Sequence, residues 1–204
     1  MKSGRGSFWE GKAGAAMKLK AEPGALITAA ALLLLIEDGD LLPVAAAAII
    51  HEAGHIAAIL ICGLAPESVT AGLGGLRIKY AGGGYIEDAV VALAGPLASA
   101  GAAALSAFAL KCSPFFTGVN AALSAVNALP VSGLDGGRAV FAAVSLLSSP
   151  DAAERSALVL DAVCLAALGG LGVLAALRYN NYTFLISAGY LCVMCCKNGG
   201  NVVQ

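Results

Sequence analysis

Charge is scarce in this chain. Asp, Glu, Lys and Arg make up 12% of its 204 residues against 59% hydrophobic, where a water-soluble domain carries about a quarter charged residues. A net charge of −1 provides no basic surface for a phosphate backbone, so nucleic acid is excluded as a partner. The six cysteines lack the spacing of a disulfide framework. Cys62, Cys112 and Cys164 each stand alone in or beside apolar sequence, where a thiol behaves as a small hydrophobe. Cys192, Cys195 and Cys196 are closer together and open to metal or lipid. They read more simply as membrane-facing small residues near the end of the last apolar run. A cleaved signal is not expected, because residues 1–22 are too long and polar a lead and no small-residue cleavage pattern follows.

What the chain does have is one apolar run after another. A straight helix needs about 20 apolar residues to cross a bilayer. Leu41–Leu64, Ala89–Leu110, Cys112–Leu134, Ser156–Leu177 and Tyr179–Cys196 are candidates, and Ala25–Ile36 is a shorter one that crosses only if it extends to Leu42. Ala139–Ser149 is too short to span, so it continues a broken helix or returns along the surface. Between the second and third spans, "GLGGLRIKYAGGG" alternates Leu76, Ile78 and Tyr80 around Arg77 and Lys79, the period of a short strand or hairpin. The small residues of "ALAGPLASAGAAALSA" suit close helix packing in lipid.

The expected fold is therefore an all-α polytopic membrane protein of about six transmembrane helices. It has a short β-hairpin between the second and third and a broken helix around "LDGGR". Residues 1–22 form a polar cytosolic lead and residues 23–198 a single domain in the lipid bilayer. Lys2, Arg5, Lys12, Lys18 and Lys20 precede the first apolar run, against Glu10 and Glu22. The positive-inside rule then puts the N-terminus, the hairpin and the "LDGGR" break on the cytosolic side.

Inside the second span, "AAIIHEAGHIAAIL" places His51, Glu52 and His55 where lipid would favour none of them. Positions four apart differ by about 40° around a helix, so the two imidazoles share one face at the spacing that grips one Zn²⁺. Glu52 is placed to take a proton from an attacking water. These are the only two histidines in the chain. Catalytic zinc uses three protein ligands, so the third must be something else, and two acids lie in apolar sequence, Asp135 and Asp161. Around Asp135, Pro130, Gly133, Gly136 and Gly137 would unwind a helix and free its backbone, as is tolerated where a wet site is lined. Asp161 is about a turn and a half from Ser156, where it can snorkel or pair with a neighbour, a structural role.

"HEAGH" in one span, "ALAGPLAS" in the next and "NALPVSGLDGG" in a later broken span, with the glycine-rich hairpin between the first two, resemble the site-2 protease family of intramembrane zinc metalloproteases, and within it the sporulation branch. The likeness covers roughly residues 41–141. It implies zinc held by His51, His55 and Asp135, with Glu52 as general base and acid. Asn127 and Pro130 match the family's asparagine and proline, and Asn127 would contact substrate backbone or steady the oxyanion. The implied activity is hydrolysis of a membrane-tethered protein substrate, for the sporulation branch a sigma-factor precursor, under a possible inhibitory membrane partner. Ser99 stands where relatives often place an amide, a departure expected to matter little. No PDZ or CBS domain is expected, so the ATP regulation implied for the sporulation relatives is not carried over. The Leu76–Tyr80 strand either offers an edge to which an unwound substrate can add or serves simply as a loop cover over the site. Two rivals are a zinc-binding membrane transporter, which would be expected to show ligands at several depths, and a catalytically silent helix-binding pseudoprotease, against which Glu52 argues.

Overall fold

A computed structural model describes residues 18–21, 39–72, 75–110 and 113–198. The first apolar run, Ala25–Ile36, lies outside the described residues. The elements are β1 (Lys18–Ala21), α1 (Leu41–Ile61), β2 (Ala65–Gly72), β3 (Gly75–Ala81), α2 (Tyr85–Leu105), α3 (Pro114–Asn127), α4 (Asp135–Leu147), α5 (Pro150–Tyr179) and α6 (Thr183–Asn198).

The helices pack through their small residues and turn their large ones outward. The buried positions of α1 are Ala47, His51, His55, Ala58 and Ile59, and those of α2 are Val91, Ala92, Gly95, Pro96 and Ser99. Each set recurs at three- and four-residue intervals and forms one stripe. Away from these stripes, Leu60 is 61% and Leu97 67% exposed. Water would penalise such a surface and hydrocarbon would not, whereas small residues at the contacts let backbones approach closely. Among the described residues, three helices are long and apolar enough to cross a membrane: Leu41–Ile61, Tyr85–Ala109 and Pro150–Tyr179.

Of the expected six, the first lies outside the described residues, and two others fall short of a span for a physical reason. The expected fourth span, Cys112–Leu134, breaks after Asn127, ahead of the expected break at "LDGGR", leaving α3 with 14 residues and α4 with 13, while α6 has 16. At 1.5 Å per residue none of these covers about 30 Å of hydrocarbon. Each half begins with a helix-start signal: the Ser113 hydroxyl accepts from Phe115 N–H, with Pro114 in the first turn, and Asp135 supplies negative charge at the N-terminus of α4. Beyond α2, a π-helical turn at Ser106–Leu110 brings the Ser106 and Thr117 hydroxyls to 2.6 Å, which ties α2 to α3.

The hairpin forms where the alternation placed it. β2 and β3 pair antiparallel, with Val69 opposite Ile78 and Thr70 opposite Arg77. β1 pairs parallel to the other side of β2, Lys18 opposite Ser68, giving the order β1-β2-β3. Part of the expected polar lead thus belongs to a sheet. From β3, Ile78 and Tyr80 pack on a cluster of Ala58, Ile59, Leu64 and Val91 from α1, its following loop and α2. α2 sits at the centre of the helical layer, against α1, α3 and α4, while α5 backs α4 and α6 backs α5.

Candidate metal centre

His51 and His55 are 5% and 7% exposed and face α2 from adjacent turns of α1. Their rings stand edge to face, with centroids 5.0 Å apart. Each Nδ1 is engaged on α2: His55 Nδ1–H donates to the Val91 carbonyl at 2.7 Å, and His51 Nδ1 lies 3.0 Å from the Ser99 hydroxyl. Such contacts fix tautomer and ring orientation in metal sites. They leave both Nε2 atoms aimed at one point, 3.3 Å apart.

Asp135 arrives at that point from the start of α4. Its Oδ2 is 3.0 Å from His51 Nε2 and 3.2 Å from His55 Nε2. The loop from Ala128 to Leu134 folds tightly enough that a Cβ on Gly136 would meet the Ala128 carbonyl oxygen at 2.3 Å, so the residue after the aspartate must be glycine. Among the described residues, His51, His55 and Asp135 form a group whose ligand atoms lie within 4.8 Å of one another.

This donor set fits a cation. A carbonyl partner requires the His55 proton on Nδ1, so its neutral ring presents a lone pair at Nε2. With the Ser99 hydroxyl accepting from His51 in the same way, three lone pairs converge on a buried point. A shared positive charge relieves their repulsion. Two imidazole nitrogens and one carboxylate oxygen match the ligand set of catalytic zinc.

The surrounding pocket is lined by Glu52, His55, Ile59, Ile78, Tyr80, Val91, Asp135 and Arg138. Arg138, one turn along α4, places Nη1 3.9 Å from Asp135 Oδ1. Tyr80 donates to Asp88 Oδ1 at 2.7 Å, which fastens β3 to the first turn of α2 beside the pocket. Burial first, then the Asp88 bond, push the Tyr80 phenol well above its ordinary range, so it remains a donor at physiological pH.

Of the sequence-predicted site residues, His51, His55 and Asp135 are brought together, with Glu52 beside them in the pocket wall. Asn127 and Pro130 do not line that pocket, and Asn127 Nδ2 donates to the Leu123 carbonyl of its own helix at 3.0 Å. Asp161 lies away from the three donors, bonded to the Ser132 backbone. Ser99, expected to matter little, is fully buried against His51. A signal for it was present: Gly95 and Ser99 fall four apart on one face of "ALAGPLAS". Ser99→Ala removes the partner of His51 Nδ1 without changing the helix, and an outer-shell contact of this kind typically contributes 10–100-fold in metal affinity. The dissociation constant of a divalent metal ion at this group is expected to rise by about that factor, read by competition against a chelator in detergent.

No family model matches the chain, and no curated protein matches it. Among solved structures the fold is that of a site-2 protease. The site-2 protease from Methanocaldococcus jannaschii aligns with a TM-score of 0.65 over 89% of this chain and 90% of that one, at 15% sequence identity. At that identity the likeness is one of fold. The donor geometry comes from this chain's own residues.

Proposed function

We propose that the chain is a zinc-dependent intramembrane endopeptidase, with His51, His55 and Asp135 as ligands and Glu52 as general base and acid. The observation that carries this reading is the convergence of two imidazoles and one carboxylate, from helices that flank α2, inside a protein whose outer surface suits lipid. Bound zinc would act as a Lewis acid, lowering the pKa of water to about 7 and polarising the scissile carbonyl. Glu52, in the pocket wall beside His55, takes the proton of the attacking water and returns it to the leaving amine. Val91 and Ser99 hold the two imidazoles so that the site needs no reorganisation during the reaction.

The substrate is a membrane-tethered protein whose helix unwinds to expose its carbonyls. Ile78 and Tyr80 put the outer strand of the sheet against the pocket, where an unwound segment can pair with β3. Asn127 is assigned to substrate backbone or oxyanion, which requires its amide to turn from the Leu123 carbonyl once substrate is present. Pro130 shapes the loop ahead of Asp135. By its sequence motifs the chain resembles the sporulation intramembrane protease, stage IV sporulation protein FB. The finer proposal is therefore a sigma-factor precursor as substrate, an active site toward the cytosol and an inhibitory membrane partner.

The test uses the full chain purified in detergent with a panel of single-span membrane proteins, sigma-factor precursors among them. Cleavage within or beside the span is expected, lost on treatment with a chelator and restored by zinc at one equivalent. Cleavage that survives complete metal removal would overturn the reading.

A further inference from the structure

The two C-terminal helices contribute no ligand, yet they grip the loop that delivers one. Asp161, on α5, is 9% exposed, and its Oδ1 accepts the Ser132 backbone N–H at 2.6 Å. The other side of the same residue is held from α6, where the Cys195 thiol donates to the Ser132 carbonyl at 3.6 Å. Val131 and Leu134, on either side, are buried with Leu191 of α6 and packed on Leu165 and Leu168 of α5. Asp135 follows three residues after Ser132, and the Leu134 N–H closes onto the Val131 carbonyl at 3.0 Å. Little slack separates the gripped residue from the ligand.

Burying a carboxylate in a helix whose outer faces suit lipid is costly. A helix needing only to pack there would use a small apolar residue. An ionised acceptor, however, makes a stronger and more directional bond to a backbone N–H than a neutral group does. An error of about 1 Å in the position of a catalytic group is enough to disable a site.

We propose that Asp161 is a positioning residue of the metal centre: from α5 it holds the Ser132 backbone and so sets where Asp135 meets His51 and His55. The inference rests on these three residues being ligands. It gives α5 and α6 a role in the reaction although neither reaches the pocket. Asp161 acts through Asp135 and touches neither substrate nor metal.

The experiment uses the full chain in detergent, with Co²⁺ as the probe ion, and reads affinity by chelator competition and ligand geometry by the visible absorption of the bound cobalt. His51→Ala and Asp135→Ala are run first, since loss of cobalt binding in both establishes the ligand set independently of Asp161. Asp161→Ala is then expected to weaken binding about 10–100-fold and to shift the cobalt spectrum toward that of Asp135→Ala, with helicity by circular dichroism retained. Asp161→Asn keeps an acceptor of about half the strength and is expected to lose clearly less affinity than Asp161→Ala, with a cobalt spectrum closer to the original. A helical Asp161→Ala protein with unchanged affinity and spectrum overturns the proposal. Should that variant not fold, Asp161→Glu decides, because it keeps the charge but moves the acceptor by one methylene. A perturbed cobalt spectrum supports positioning, and an unaltered one overturns it. If His51→Ala and Asp135→Ala bind cobalt normally, the ligand assignment is what fails.

Discussion

Glu52→Gln is expected to lower cleavage about 10²–10⁴-fold, the usual contribution of a positioned general base, with zinc stoichiometry unchanged. Glutamine preserves the size and shape of the side chain, and Glu52 is not among the three converging ligand atoms, so the metal has no reason to leave. What changes is proton chemistry. An amide cannot take the proton of the attacking water or hand one to the departing amine. Both steps depend on a carboxylate in the same pocket wall as His55 and Asp135. Co-expressing a cleavable membrane substrate with each form, and measuring zinc per protein on the purified pair, separates this outcome from a folding defect. Undiminished cleavage by the glutamine form would remove Glu52 from the mechanism. Membrane proteins that accumulate uncut in cells carrying it would identify the substrate.

Gly95→Ala should be nearly as damaging, for a reason that has nothing to do with proton transfer. A methyl group there would lie 2.2 Å from His55 Nε2, 2.6 Å from His55 Cε1 and 2.8 Å from His51 Nε2. It would occupy the point on which the two imidazoles converge. Both rings are anchored on α2 itself, through Val91 and Ser99, so they cannot retreat without breaking the bonds that orient them. Displacing them by about 1 Å is expected to cost about 10²-fold in activity, with a comparable loss of metal affinity. Gly101→Ala, on the same helix, is the control. Nothing lies within 4 Å of its added methyl, and exchanging glycine for alanine in an exposed helix interior stabilises by about 1 kcal/mol. Bound zinc by elemental analysis, alongside thermal unfolding, distinguishes the two. A Gly95→Ala protein that holds zinc as tightly as the Gly101→Ala protein would mean that the rings do not sit where the structure puts them.

The local half of the site was legible because helical periodicity is a property of neighbouring residues. His51 and His55 share a face in any α-helix that contains both, and Glu52 necessarily sits beside them. The partners of those rings were not legible. Ser99 looked like a minor variation on "AGPLAS": its spacing from Gly95 marks a shared helix face, but nothing in the chain says which side chain crosses to meet that face. The same holds for Gly95, whose missing Cβ is understood only once two imidazoles from another helix are placed against it. The count of long helices differed for a related reason. Hydropathy carries an apolar run to Leu134 and the proline and glycines of "NALPVSGLDGG" announce a break, but only the fold shows the backbone there turning to satisfy Asp161, Cys195 and its own carbonyls.

By itself, then, the sequence determined the solvent, the hairpin and the paired imidazoles, each of which follows from composition or from a repeat within a few residues. The choice between Asp135 and Asp161 belonged to the tertiary structure. Both are acids in apolar sequence; the proline and glycines around Asp135 favoured it as the ligand, but no local rule could bring it to the histidines. Packing α4 against α2 carried Asp135 to the two histidines across some 80 residues of chain, while α5 turned Asp161 toward the backbone of the loop that holds it there.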